Sequence, residues 1–157
     1  QSFNTRQIVS SYESFAALTT DYQVITFGWN LNMILGTSEL FKCRDITNLT
    51  ILKDKHIKRI GMPFRNVIFF ISSSQIFFSG QCGELCGQFA DQEPVPDQFF
   101  NISRVKHNFS GIVDAKFFRH HYLIQDDHLE WYSIGENSVQ QRCTNSANKL
   151  FSRYPAH

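Results

Sequence analysis

Three stretches of the chain share one order of features: an apolar strand end, a short polar turn, a second apolar strand and a glycine. They occupy residues 18–28, 70–80 and 124–135 and end at Gly28, Gly80 and Gly135. Self-similarity with a period of roughly 50 residues is typical of repeat architectures, in which no single unit buries its apolar side alone. The sequence therefore predicts three consecutive copies of one module, with approximate bounds 7–55, 56–110 and 111–157.

Each module is predicted to consist of short strands. A further apolar segment, at residues 7–9, 56–60 and 111–115, precedes each turn and gives three or four strands per unit. Ile, Val, Phe and Tyr, which dominate these segments, favour a half-buried pleated surface. Helical periodicity extends over no more than about two turns anywhere. We therefore predict an all-β fold, a partial β-propeller made of three small antiparallel sheets, because radial repetition protects sheet edges.

The segments that follow the three glycines also correspond to one another. The first reads Gly-Trp-Asn-Leu-Asn-Met-Ile-Leu-Gly over residues 28–36, and the third keeps Gly135, Asn137 and Gln141. The second is shortened and keeps a Gly-Glu-Leu core at residues 83–85. A strand ending in aromatic-Gly and followed by G-x-N-x-x-G-Q-L-G resembles the repeat of the regulator of chromosome condensation (RCC) family. The resemblance covers nearly the whole chain as three degenerate repeats and implies blades of a seven-bladed propeller.

The resemblance also assigns structural roles to individual positions. Ser14, Asn66 and His120 occupy the place of the family's histidine before the first strand of each hairpin. The repeat glycine is expected to take a backbone conformation that other residues avoid, and the nearby Asn to pin the following turn. Leu35 and Leu85 are expected to anchor the connecting loop on the blade.

Composition limits the classes of partner. The chain has 157 residues, and 15 Lys and Arg against 14 Asp and Glu give a formal net charge of +1. A broad electrostatic grip on nucleic acid or acidic membrane requires a large basic excess, so nucleic acid is not expected as a main partner. No apolar run approaches the roughly 18 residues of a membrane span. This net charge does not exclude a local basic patch.

The four cysteines, Cys43, Cys82, Cys86 and Cys143, are predicted to be small, half-buried thiols. With the pair His120-His121 they form an alternative zinc ligand set. Their spacing, however, lacks the paired C-x-x-C knuckles of strong sites. A chain of this length and apolar content does not need disulfides, which favours a reducing intracellular compartment, nuclear or cytoplasmic.

No catalytic, cofactor-binding or metal site is predicted, and no cofactor is expected. The chain has no G-x-S-x-G elbow, P-loop, dinucleotide fingerprint or EF-hand loop.

Asp126 and Asp127 are predicted to form a solvated hairpin tip. The basic segment 53–59 is predicted to be a solvated strand edge guarded by Lys; its alternative is contact with phosphates or an acidic partner. Residues 89–100 are predicted to form a long loop anchored by buried Phe89, Phe99 and Phe100; the alternative is that these side chains are exposed contact sites for a partner.

Two functions stay open. The first is a non-catalytic scaffold that presents loops and blade faces to other proteins. The second, implied by the resemblance, is guanine-nucleotide exchange on a small GTPase. The motif positions have drifted, and no residues of this chain map to an exchange face, so the scaffold is favoured. Three blades do not close a seven-bladed ring, so further chain or a second chain is expected to complete it.

Overall fold

The structure is a computed structural model, and it describes residues 3–38, 43–64, 66–82, 92–119, 121–135 and 152–154. Within these ranges the chain forms three antiparallel sheets, named blades 1 to 3. The predicted all-β fold of three small antiparallel sheets is confirmed. Two short 3-10 helices, Leu31–Met33 and Thr50–Lys55, lie in the connections.

Strand bounds and order are similar in the three blades. Blade 1 contains β1 (Thr5–Ser11), β2 (Ser14–Thr19), β3 (Val24–Trp29) and β4 (Cys43–Asn48), hydrogen-bonded in that order. Blade 2 contains β5 (Arg59–Phe64), β6 (Val67–Ile71), β7 (Ile76–Gly80), β8 (Gln92–Pro94) and β9 (Ser103–Val105), in the order β5-β6-β7-β9-β8. Blade 3 contains β10 (Ile112–Phe117), β11 (His121–Asp126), β12 (Trp131–Gly135) and β13 (Ser152–Tyr154), in sequence order.

Blade 2 lies between the other two and is buried on both faces. Every residue of β6 is buried, which explains why this strand is a continuous apolar run without alternation. Val67, Phe69 and Ile71 point toward blade 3, where Phe69 contacts Tyr122 with ring centroids 4.7 Å apart. Ile68 and Phe70 belong to the other core, against blade 1. Alternate residues of one strand therefore hold two interfaces together.

The connection after β3 is packed between blades 1 and 2. Asn30 is buried; its side chain accepts a hydrogen bond from the Leu35 amide (2.9 Å) and donates one to Thr37 (3.0 Å). Leu35 is fully buried in the core shared by the two blades. The predicted roles of Asn30 and Leu35 are confirmed. The corresponding Leu85 and Asn137 lie outside the described residues.

The position that corresponds to the family's histidine was predicted one residue too late in the first unit, at Ser14. Gly28 pairs with Ser14, Gly80 with Val67 and Gly135 with His121. The equivalent of Asn66 is therefore Glu13, whose carbonyl accepts the Trp29 amide as Asn66 accepts that of Gln81. The turn in blade 1 spans residues 19–23, whereas the turn in blade 2 spans only residues 72–75. Counting the same number of residues back from each glycine therefore does not lead to equivalent positions.

Three other sequence predictions are corrected by the fold. Residues 92–94 form β8, a fifth strand of blade 2, in a stretch predicted to be loop. The basic segment begins in a 3-10 helix rather than at a strand edge, and β5 starts only at Arg59. Phe99 is exposed, contrary to prediction, while Phe100 packs against the core of blades 1 and 2. Phe89 lies outside the described residues.

Replacing the first repeat glycine should destabilise the fold. Gly28 has φ of 103°, and a Cβ there would collide with the Glu13 carbonyl oxygen. We expect Gly28→Ala to lower the free energy of unfolding by about 1–3 kcal/mol, measured by urea denaturation. Gly111→Ala is the control, since its Cβ would meet only the movable Asp127 side chain. Equal stability of the two variants would contradict the assigned role of Gly28.

Replacing a buried tyrosine should stabilise the protein. Tyr122 is fully buried, its hydroxyl has no hydrogen-bond partner among the described residues, and burial raises its pKa. Tyr122→Phe removes this unsatisfied group while keeping the ring, so we expect a gain of about 1 kcal/mol, or a rise in Tm of about 2–4 °C. The control is Tyr132→Phe, which removes a hydroxyl 3.1 Å from Glu130 and should not stabilise. A lower Tm for Tyr122→Phe than for wild type would contradict the prediction.

Candidate interaction surfaces

The first strands of the three blades form the hub of the assembly. Strand β5 lies against β1 on one side and β10 on the other. Gln7 on β1 joins the first two strands, because its side chain donates to the Ile60 carbonyl (2.7 Å) and accepts the Ile60 amide (2.9 Å). On the other side, Phe117 of β10 lies over Gly61, where any larger residue would meet its ring.

The hub has an open groove along the later part of these strands. The groove has a volume of about 610 Å³ and is lined by backbone and side chains of all three strands, including Val9, Met62 and Phe117. Phe118 and Arg119, at the end of β10, are exposed there. Lys116, on the same strand, lies 5.4 Å from the Trp131 ring centroid. The mixture of aliphatic, aromatic and cationic groups fits a protein surface better than a small polar substrate.

A second, smaller pocket lies where the three hub strands begin. Its volume is about 290 Å³. Its cationic side chains are Arg6 from β1 and the neighbours Lys58 and Arg59 at the start of β5. Arg59 forms an ion pair with Asp114 of β10 (3.2 Å), and the Arg6 guanidinium lies 4.7 Å from the Tyr22 ring centroid. Three basic side chains from separate parts of the sequence therefore meet at one end of the hub.

The third surface is the face of blade 1 that points away from blade 2, called here the blade 1 outer face. Phe15 and Phe27 pair across β2 and β3 and stack with ring centroids 4.9 Å apart. On the same face, Ile8 of β1 is 62% exposed and Ile46 of β4 is 48% exposed. Phe15 and Phe27 are half-buried, and with the exposed Ile8 and Ile46 they form a partly exposed apolar patch on the sheet.

The outer face of blade 3 is different in character. By strand register its residues include Lys116, Leu123, Gln125 and Trp131. These side chains are exposed or half-buried, and two of the four carry polar groups at their ends. The two ends of the blade stack are therefore chemically unlike, one aromatic and aliphatic, the other mixed.

The prediction that the cysteines are free thiols is wrong for Cys82, which is buried and disulfide-bonded. Cys86 and Cys143 fall outside the described residues, and the side chain of Cys43 is not described. Within the described ranges no group of three or more His, Cys, Asp or Glu residues is placed to hold a metal ion.

The other titratable residues singled out from the sequence have local roles. Asp126, predicted to be solvated, is 6% exposed, and one of its carboxylate oxygens accepts the amides of His128 and Glu130 (2.9 Å each). It caps its own turn, whereas Asp127 is exposed as predicted. His121 stacks on Phe118 with ring centroids 5.0 Å apart, and His120 lies outside the described residues. Among the described residues, Asp126, Asp127 and His121 each have a local role and no reaction centre is formed.

No helix in the described part of the chain is long and apolar enough to cross a membrane.

Comparisons with known proteins identify the fold. No family model matches the chain, and no curated protein matches it in sequence. Among solved structures, human WBSCR16 is similar at 15% identity and a TM-score of 0.68, over 96% of this chain and 38% of that one. Yeast RCC1 (Prp20), solved bound to Kap60, is similar at 15% identity and a TM-score of 0.62, over 85% and 32% of the two chains.

A second structure of Prp20p, from Saccharomyces cerevisiae, described with its binding properties to Gsp1p and histones, is similar at 17% identity and a TM-score of 0.57. It is matched over 88% of this chain and 32% of its own. The chain thus spans about a third of the length of these structures. The predicted RCC-type repeat fold is confirmed, and the three blades are RCC-type blades.

Proposed function

We propose that this chain is a non-catalytic protein–protein interaction scaffold whose blade 1 outer face binds a further propeller blade. That blade is supplied either by additional sequence of the same protein or by another chain. The observation that supports the proposal is the apolar patch of Ile8, Phe15, Phe27 and Ile46 on a sheet face with no fourth blade against it among the described residues.

The internal repeat indicates what fits this face. In strand register, Phe15 of blade 1 corresponds to Ile68 of blade 2 and Tyr122 of blade 3. Ile68 is buried against blade 1, and Tyr122 is buried against blade 2. The same face of the module is therefore covered by a preceding blade twice within this chain. A third blade-on-blade contact of this kind would cover Phe15 and Phe27.

Covering this apolar patch would also stabilise the contact. Burying apolar surface yields about 25 cal/mol per Å², and contiguous exposed apolar patches on a protein commonly mark interaction sites. The exposed Phe99, on the connection between β8 and β9, adds an apolar contact point outside the sheet face. Since similar propellers include a Prp20 bound to Kap60 and a Prp20p characterised with Gsp1p and histones, protein partners are the favoured class for this chain.

A charge on the outer face should abolish association through it. In the isolated chain no further blade covers this apolar face, so we expect the wild type to associate through it as concentration rises. Ile8→Glu should stay monomeric, because an unpaired carboxylate is costly in an apolar interface. Sedimentation equilibrium measures the mass. Leu129→Glu is the matched control, as Leu129 is also 62% exposed but lies at the hairpin tip of blade 3. Wild type that remains monomeric, or equal loss of association in both variants, would contradict the proposal.

Guanine-nucleotide exchange on a small GTPase is the second candidate, supported by the RCC-type fold and by the Gsp1p binding described for Prp20p. The scaffold proposal predicts that the chain leaves the release of fluorescent nucleotide from a panel of GTPases unchanged, because three blades present only part of a propeller face. Stopped-flow fluorescence measures the release rate, with EDTA-stimulated release as the positive control. Acceleration with any one GTPase would favour exchange over the scaffold.

A further inference from the structure

We propose that the pocket formed by Arg6, Lys58 and Arg59 at the beginning of the hub strands binds carboxylate side chains of an acidic segment in a partner protein. This surface is separate from the blade 1 outer face, and the inference does not depend on that face. It is also not visible from the sequence, where Arg6 lies about 50 residues from the two other cations.

The cations are brought together by the packing of the blades. Arg6 is in β1, Lys58 and Arg59 lie at the start of β5, and β1 lies against β5. The Lys58 amide donates to the Ile71 carbonyl (2.8 Å), which fixes the backbone from which the Lys58 side chain projects. Three cationic groups and one carboxylate, Asp114, line the pocket, so its net charge is positive.

Two of the three cations are already positioned. The Arg6 guanidinium lies over Tyr22, and Arg59 is paired with Asp114. Holding these long side chains in place before binding reduces the conformational entropy that a ligand must overcome. Neither Arg6 nor Lys58 forms an ion pair with any residue that the structure describes. Both are therefore available to an incoming anion, and guanidinium groups match the geometry of a carboxylate.

The pocket walls are mainly polar. Ile71 and Ile112 line the pocket but are only 1% and 5% exposed, so they contribute little of its surface. The attraction for an anion therefore comes from the three cations that meet there. The volume of about 290 Å³ suits one acidic side chain and the backbone next to it.

The neighbouring segment extends the positive surface. His56 contacts Tyr22 at 6.3 Å between ring centroids, which brings the 3-10 helix Thr50–Lys55 beside the pocket. Lys53 and Lys55 on that helix are exposed. A second acidic residue of the same bound segment would meet these lysines, so a run of Asp or Glu fits better than a single carboxylate.

An acidic protein segment is favoured over nucleic acid. Nucleic acid is bound along an extended cationic track, usually with aromatic faces on which bases stack. Here three cations cluster in one small pocket and form no track, the face of Tyr22 is occupied by Arg6, and the chain as a whole has a net charge of only +1. Against inorganic phosphate or a phosphate monoester, Asp114 at the pocket wall would repel the second negative charge, which a carboxylate lacks.

The experiment measures binding of a short fluorescein-labelled peptide of alternating Glu and Gly by anisotropy, against the same peptide with Gln for Glu. Arg6→Gln and Lys58→Gln test the pocket. Lys116→Gln is the matched control, because it removes one positive charge from β10 but lines the groove rather than the pocket. Circular dichroism melting curves check that each variant is folded; Lys58 is exposed, so its replacement should leave the fold intact.

We expect the wild type to bind the Glu peptide but not the Gln peptide, with affinity falling as salt is raised. Arg6→Gln and Lys58→Gln should each weaken binding by about ten-fold, as for the loss of one charge-assisted contact, while Lys116→Gln should bind as wild type. Failure of the wild type to bind the Glu peptide, or equal binding by all variants, would overturn the inference. So would stronger competition by duplex DNA or inorganic phosphate than by unlabelled Glu peptide.

Discussion

The need of the central sheet for apolar cover on both faces governs this structure. In blade 2, alternate residues of one strand serve two separate cores: Phe69 packs toward blade 3, and Phe70 packs toward blade 1. Such a strand is stable only when it is enclosed on both sides, so the blades hold one another in place by nearest-neighbour contacts. The same requirement makes the two ends of the stack special. Blade 1 presents Phe15, Phe27 and Ile8 outward, and its apolar face is the basis of the proposed scaffold function.

At the hub, the packing of the blades brings together charged side chains that no single blade contains together. The side-chain amide of Gln7 pairs with both backbone groups of Ile60, which fixes β1 against β5. Gly61 leaves room for Phe117, which fixes β10 on the other side. With the three strands held in this way, their beginnings come together and place Arg6 beside Lys58 and Arg59. The pocket is thus a consequence of interfaces whose main role is to bury apolar surface.

The sequence predicted the repeat, the all-β blades and the roles of Gly28, Asn30 and Leu35, because these depend on local patterns. Its errors arose where the outcome depends on distant contacts or on small changes of length. A turn one residue shorter in blade 2 than in blade 1 shifted the correspondence, so that Ser14 was matched where Glu13 belongs. Asp126 was expected in solvent, yet backbone amides of its own turn satisfy it in a buried position. Segment 53–59 was recognised as basic, but nothing in its own residues indicates that Arg6 lies beside it.

By itself, the sequence determined the kind of module and the number of copies described here, since strand periodicity, turn residues and conformationally special glycines are encoded within a few neighbouring positions. Only the tertiary structure decided which face of each strand meets which neighbour, because a shift of one residue turns every side chain to the opposite side of a sheet. It also decided which apolar face is left uncovered and which cations share a pocket. Those features depend on separate blades meeting along the hub, and blade-to-blade contact joins residues that the chain itself keeps far apart.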